Sequence, residues 1–214
     1  VREKLIIWGA SGHALVVADA ARASGDYEIV GFIDDVHPER SGAEFCGAAI
    51  LGGREQLDVL PAQGVNKLIM GIGDCRARFE LSEVADSKGF QLVTVIHPRA
   101  CVAKDAAVGR GTVILAGAVV NSAARIGENV IVNTSASVDH ECSIEDGAHI
   151  GPGVHLGGRV SVGRGTWVGI GATVIDRASI GAEAVIGAGA VVVNNIPDGV
   201  LAYGIPARVV RTVK

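Results

Sequence analysis

The sequence predicts a small α/β domain followed by a parallel β-helix of hexapeptide repeats. Three observations carry that prediction. Over roughly residues 1–95, short apolar runs alternate with stretches of helical apolar spacing. From Ile96 onward an aliphatic side chain recurs at every sixth position as far as Val192, and no step is missed. Aromatic residues make up only 4% of the 214 positions while Gly numbers 30, as a narrow core filled by short branched side chains requires. The expected boundaries are 1–95 for the first domain, 96–197 for the β-helix and 198–214 for a C-terminal tail.

In the first domain, Lys4 to Trp8 reads as a strand, Gly9-Ala10-Ser11-Gly12-His13 as a tight turn, and Ala14 to Arg22 as a helix whose N-terminal amides can hold a phosphate. Glu28 to Ile33 is a second strand running into Asp34-Asp35, and Ala49 to Leu51 a short third. Glu55 to Leu60 reads as a short helix. Lys67 to Ile72 is a fourth strand closing on Gly73-Asp74, Arg76 to Lys88 a helix and Gln91 to Ile96 a fifth strand. This alternation implies a Rossmann-like parallel sheet. Ligands of such sheets sit beyond the carboxyl ends of the strands, where Ser11, His13, Asp34, Asp35 and Gly73 fall. The turn G-A-S-G-H lacks the G-x-G-x-x-G order, so it reads as a phosphate or nucleotide loop of unspecified ligand, or as a turn that only packs helix on strand.

The repeat matches neither helical nor alternating-strand periodicity, both of which lose register within two cycles. Four residues after each aliphatic position comes a compact side chain, such as Ala118, Ala124, Ala136, Cys142 or Thr166. A parallel β-helix satisfies this pattern, with one aliphatic column per face and each coil stacked on the last. Glycines that follow the aliphatic residue, as in Val108-Gly109 and Val162-Gly163, are expected to relieve the corners. Pro197-Asp198-Gly199 stops the run. His97-Pro98 falls where the first hexads begin, so the two domains are expected to join with almost no linker.

Composition excludes several functions. A net charge of -4 with no Lys/Arg cluster leaves no nucleic-acid surface, and no apolar stretch is long enough to span a bilayer. With no signal-like start, a cytoplasmic protein is expected. Cys46, Cys75, Cys101 and Cys142 form no C-x-x-C pair, so all four are expected as free thiols.

Histidines carry most of the chemical argument. His140 lies in Asp139-His140-Glu141, a charged triplet at a corner of a coil whose other corners are mostly Gly, Ala, Asn and Ser. An imidazole titrates near neutral pH and an adjacent carboxylate can orient it, so His140 is a candidate general base; the alternative is a solvated corner residue. His149 and His155 occupy equivalent positions of successive hexads. A zinc site built from these histidines is a further possibility, which their spacings disfavour because they fall on different corners and strands.

The G-A-S-G-H turn, the strand end F-I-D-D, the run N-T-S-x-x-x-x-H-E and the G-I-P-A tail together resemble one family over essentially the whole chain. This is the bacterial nucleotide-sugar acetyltransferases of the sialic acid O-acetyltransferase type, and within it the N-acetyltransferases acting on nucleotide-linked 4-amino-4,6-dideoxy sugars of the bacillosamine and perosamine pathways. The resemblance implies a left-handed β-helix assembled as a homotrimer, with active sites between neighbouring subunits. It implies that Ser11, Gly12, His13, Asp34, Asp35 and Gly73 bind the nucleotide-linked amino sugar. It also implies His140 as general base, Glu141 as its supporting carboxylate and Asn133 as a hydrogen-bonding partner nearby. His149, Ile170, Gly171 and Ala188 would hold the cosubstrate acetyl-CoA, with no metal, and the Gly204 to Arg208 segment would lie near. Expected chemistry is direct attack of the amine on the thioester, with the oxyanion held by backbone amides or by His149. Resemblance favours GDP-perosamine over a UDP-linked 4-amino sugar. Alternatives are a sugar O-acetyltransferase and a non-catalytic nucleotide-sugar-binding trimer.

Overall fold

The computed structural model describes residues 2–213 and divides into two compact units, Val1–Pro98 and Arg99–Lys214. In the first, β1 (Glu3–Trp8), α1 (Gly12–Ser24) and β2 (Tyr27–Ile33) are followed by β3 (Glu44–Phe45) and β4 (Ala48–Gly52). Then come β5 (Lys67–Met70), α2 (Cys75–Ser87), β6 (Gln91–Leu92) and β7 (Val95–Ile96). The sheet order is β3-β4-β2-β1-β5-β6. Leu5, Ile6, Ile7 and Trp8 are all buried, as a central parallel strand covered on both faces requires. Chain order reverses at β1, with β2 on one side and β5 on the other. The crevice beyond the carboxyl ends of β1 and β5 is therefore the switch point where ligands of such sheets bind.

Three details depart from the sequence reading. The sheet is not wholly parallel: β3 pairs antiparallel with β4 through Cys46 (φ 47) and Gly47 (φ 75). Two left-handed residues in a row make the tight primed hairpin turn, and a cysteine in that conformation gives little sequence signal. The expected fifth strand is interrupted at residues 93–94 into β6 and β7, and the helix expected at 55–60 is a 3₁₀ helix, Arg54–Asp58.

The second unit is a left-handed parallel β-helix with three faces. Its first face carries Val113–Ile114, Ile131–Val132, His149–Ile150, Trp167–Val168 and Val185–Ile186. The second carries Cys101–Val102, Val119–Val120, Ser137–Val138, His155–Leu156, Thr173–Val174 and Val191–Val192, and the third carries Ala107–Val108 to Ser179–Ile180. In each two-residue strand the second side chain points inward. Ile114, Val120, Ile126, Val132 and their successors to Val192 are at most 4% exposed. Each such side chain contributes roughly 1.5–3 kcal/mol. Val102 and Val108 are only half-buried, and Ile96, the first expected member of the column, is 37% exposed.

Compact inward positions are filled as the pattern predicts, with Ala118, Ala136, Cys142 and Ala148 buried. Two are threonines that complete the corners: Thr166 Oγ1 donates to Gly181 O at 2.6 Å and accepts from Ala184 N at 3.0 Å, and Thr112 does the same at Gly127 O and Val130 N. The glycines directly after the aliphatic residues relieve the corners as expected, through close approach of the next coil and not through positive φ. Gly109 does not have positive φ; a Cβ there would come within 2.5 Å of Gly127 O in the next coil. The left-handed corner residue lies two positions further on, and is often not glycine: Asn129, Ser135, Glu141, Arg159 and Arg177 all have φ between 53 and 62.

At the end of the expected β-helix Ile196 bridges to Ile180. Within the expected tail, Val200–Gly204 adds to the first face beside Val185–Ile186 and folds back antiparallel on Ala207–Thr212. Among the described residues no helix is long and apolar enough to cross a membrane.

Candidate active site

Backbone hydrogen bonds gather the loops of the first unit at the switch point. Gly9 N donates to Ile33 O at 2.8 Å and Gly71 N to Trp8 O at 2.7 Å. Gly9 has φ 124, and a Cβ there would meet Gly71 O at 2.7 Å, so the turn after β1 admits only glycine. Ser11 is the N-cap of α1 yet makes no side-chain capping bond, and Gly12 has open space above it. The first turn of α1 has no acidic residue, so its amide end is open to an anion.

Asp34 and Asp35 are engaged within the protein. Asp34, 5% exposed, accepts from the amides of Val36 (3.0 Å) and His37 (3.3 Å) and from Arg40 Nη1 (2.9 Å). Arg40 also donates to Ala10 O at 2.8 Å, tying the loop after β2 to the turn after β1. Asp35 accepts from Trp8 Nε1 at 3.2 Å and from the Arg54 amide at 2.6 Å. Across the crevice, Asp74 caps α2 through Ala77 N, and the buried Arg78 guanidinium donates to the carbonyls of Ile72 (3.1 Å) and Gly73 (3.0 Å). Burial pushes the Arg78 pKa down and the neighbouring Cys75 thiol up.

In the second unit, Asp139, His140 and Glu141 form a corner between the second and third faces. His140 Nδ1 lies 3.0 Å from Glu141 Oε2, with both side chains about half exposed. The same oxygen accepts Arg159 Nε at 2.9 Å from the next coil. The hydrogen bonds from Arg159 and then from His140 hold the Glu141 carboxyl below the usual glutamate range. Asp139 is not the ring's partner: its Oδ1 accepts from Asn121 Nδ2 at 2.8 Å and from the His140 backbone amide at 2.7 Å, which keeps its pKa low. An ionised carboxylate only accepts, so in neutral His140 the proton is on Nδ1 and the Nε2 lone pair is free to take another.

The corner between the first and second faces holds a second cluster. Asn133, 8% exposed, places Nδ2 at 3.0 Å from His149 Nε2, and its Oδ1 accepts the Thr134 amide at 2.8 Å. Asn133 thus joins His149 instead of His140. The His149 ring stacks on Trp167 at 6.0 Å and 18°. Ile170 (60% exposed) and the exposed Ala188 stand at this same corner on successive coils, joined by Gly189 N to Ile170 O at 2.8 Å, and Gly171 N reaches back to Pro152 O at 2.9 Å. Together with the half-exposed Trp167 they form an apolar edge able to receive an extended thioester arm. Among the described residues no group of His, Cys, Asp and Glu is arranged to hold a metal ion.

Comparison with known proteins fits both units. The PglD N-terminal domain family matches residues 4–85. A point mutant of perosamine N-acetyltransferase from Caulobacter crescentus, solved with CoA and GDP-perosamine, superposes at a TM-score of 0.93 with 38% identity over 98% of both chains. The chain belongs to the nucleotide-amino-sugar acetyltransferase family. Another member, the acetyltransferase domain of PglB from Neisseria gonorrhoeae FA1090, solved with acetyl coenzyme A, superposes at 0.92 with 37% identity, covering 98% of this chain and 100% of that one. UDP-N-acetylbacillosamine N-acetyltransferase of Bacillus subtilis (strain 168) is 36% identical over 123 residues. That match spans about half of each protein, 53% of this chain and 52% of the relative.

Within this family framework, three groups escaped the sequence reading. Arg40 fastens the loop after β2, Arg159 fastens Glu141, and Trp167 backs His149. Arg159 and Trp167 sit eighteen residues, one coil, beyond Glu141 and His149. Reading each corner against the position eighteen further on is the signal that exposes them.

Proposed function

We propose that this chain catalyses acetyl transfer from acetyl-CoA to the 4-amino group of a nucleotide-linked 4-amino-4,6-dideoxyhexose, GDP-perosamine ahead of a UDP-linked 4-amino sugar, and that it works as a homotrimer. The observation that carries the proposal is the His140–Glu141 pair, which leaves Nε2 of an exposed imidazole as a proton acceptor. Support comes from relatives of nearly full coverage solved with CoA and GDP-perosamine or with acetyl coenzyme A.

In the proposed reaction, the first unit holds the nucleotide at the amide end of α1. Ser11, Gly12 and His13 face the phosphates, the Gly73 loop closes the other side, and Asp34 and Asp35 set the loop after β2. The amine nitrogen attacks the thioester carbonyl, forming the N–C bond, while His140 Nε2 takes the proton released from nitrogen. The developing oxyanion needs a donor, which backbone amides or His149 would supply. Collapse of the tetrahedral adduct breaks the C–S bond, and the thiolate leaves with the proton that His140 carries. No enzyme nucleophile is required.

The separation of the two corners supports the homotrimer. His140 lies between the second and third faces, whereas Asn133, Ile170 and Ala188 lie between the first and second. One face of six residues separates them, on the order of 15–20 Å at a strand rise of about 3.3 Å per residue. In the proposed homotrimer a thioester held at one corner would meet a base from a neighbouring chain.

Mass spectrometry of products tests this. Incubation with acetyl-CoA should acetylate GDP-perosamine on nitrogen faster than a UDP-linked 4-amino sugar. Acetylation confined to a hydroxyl would establish the O-acetyltransferase reading, and no acetylation of either sugar would overturn the proposal.

A further inference from the structure

The surroundings of His140 on the following coil are unusual. Gly158 stacks above it at the same corner. A Cβ on Gly158 would lie 2.5 Å from His140 Nε2 and 2.7 Å from Cε1, so the imidazole occupies the space where a side chain would begin. Gly158 is not among the glycines of positive φ, so its backbone does not demand glycine. Equivalent positions on neighbouring coils are Ser122, His140 and Asp176, so the corner itself accepts side chains. The Gly158 amide is already satisfied by Asp176 Oδ1 at 3.0 Å. What glycine provides here is room for one ring.

Arg159 follows directly, tied to the same histidine twice over. Its amide donates to the His140 carbonyl at 2.9 Å, and its Nε donates to the Glu141 oxygen that receives His140 Nδ1. Glu141 and Arg159 both adopt the left-handed conformation (φ 58 and 62), which aims their side chains along the same edge. Without the guanidinium, an exposed glutamate beside a histidine would sample several rotamers. With it, the carboxylate is held under the ring.

We infer that Gly158 and Arg159 are positioning residues for the base: Gly158 leaves the site the imidazole fills, and Arg159 pins the carboxylate that fixes its tautomer. The inference rests on His140 being the base, but its geometric content can be read without turnover. An exposed ion pair contributes little to stability, so the effect belongs to ring geometry and not to melting temperature.

The test combines ¹⁵N-histidine NMR with steady-state kinetics on the full chain, using His140→Ala to assign the resonance. The parent protein should show neutral His140 protonated on Nδ1. In Arg159→Ala that preference should give way to the Nε2–H form that predominates in a free imidazole, with kcat lowered about 10-fold and KM for both substrates unchanged. Arg159→Lys, which keeps the charge but lacks the Nε geometry, should restore only part of the loss. Gly158→Ala should fold and melt as the parent does while losing turnover to a similar degree. An unchanged tautomer in Arg159→Ala, or full activity in Gly158→Ala, overturns the inference. A shifted tautomer with unchanged turnover upholds the positioning and overturns the assignment of His140 as base.

Discussion

The side-chain amide of Asn133 donates to Nε2 of His149 across 3.0 Å. The amide cannot be reversed, because its oxygen is held by the Thr134 N–H at 2.8 Å. His149 Nε2 is therefore the acceptor, and the neutral ring carries its proton on Nδ1. Asn133→Asp, nearly identical in shape, replaces the donor by an acceptor. His149 should then become protonated on Nε2, visible in its ¹⁵N shifts, and acetyl transfer should fall on the order of 10²-fold if Nδ1–H serves the oxyanion. A His149 Nε2 that stays unprotonated in this variant would contradict the assignment.

The first unit predicts a separable effect. Arg40 bonds both Asp34 Oδ2 (2.9 Å) and Ala10 O (2.8 Å), so Arg40→Ala should release the loop after β2 from the turn that precedes α1. We expect a raised KM for the nucleotide sugar with KM for acetyl-CoA unchanged. Equal increases in both constants would show that the loop serves more than the sugar site.

Inside the β-helix, Thr166→Val tests whether the inward threonines matter through their hydroxyls. The substitution preserves volume but strands the Gly181 carbonyl and the Ala184 amide, at a cost of about 1–3 kcal/mol. Chemical denaturation should report that loss, and a neutral result would mean that packing alone governs these positions.

Much of this architecture is written in local pattern. The six-residue aliphatic period gave the coils because each face buries one residue of every hexad, and α1 and α2 follow from apolar spacing. The pairings that cross the chain were hidden. Leu201 adding to Val185, and the hairpin with Ala207–Thr212, depend on contacts that no periodicity encodes, so residues 198–214 read as a tail. The candidate site divides the same way: His140–Glu141 is adjacent in sequence and was visible, whereas Glu141–Arg159 and Asn133–His149 are brought together only by coil stacking.

Acid should weaken the His140 corner in a defined direction. Asp139 titrates below its ordinary value through bonds from Asn121 and the His140 amide, and Glu141 through bonds from Arg159 and His140. A carboxyl whose folded pKa is depressed contributes stability in full above its unfolded pKa and loses it as pH falls through the folded one. Any destabilisation from Asp139→Asn or Glu141→Gln at pH 7 should thus begin to shrink near the unfolded carboxyl values of about 4 and vanish only below the depressed folded ones. Both groups are exposed, so the differences will be small. A gap that widens in acid would contradict the sign.

The most direct measurement is the rate of CoA thiol release, with a nucleotide-linked 4-amino sugar as acceptor, for the parent protein and for His140→Ala. A positioned general base contributes about 10²–10⁴-fold. The account predicts a fall of that size in kcat, with acetyl-CoA still bound. Thiol release unchanged in His140→Ala would contradict it.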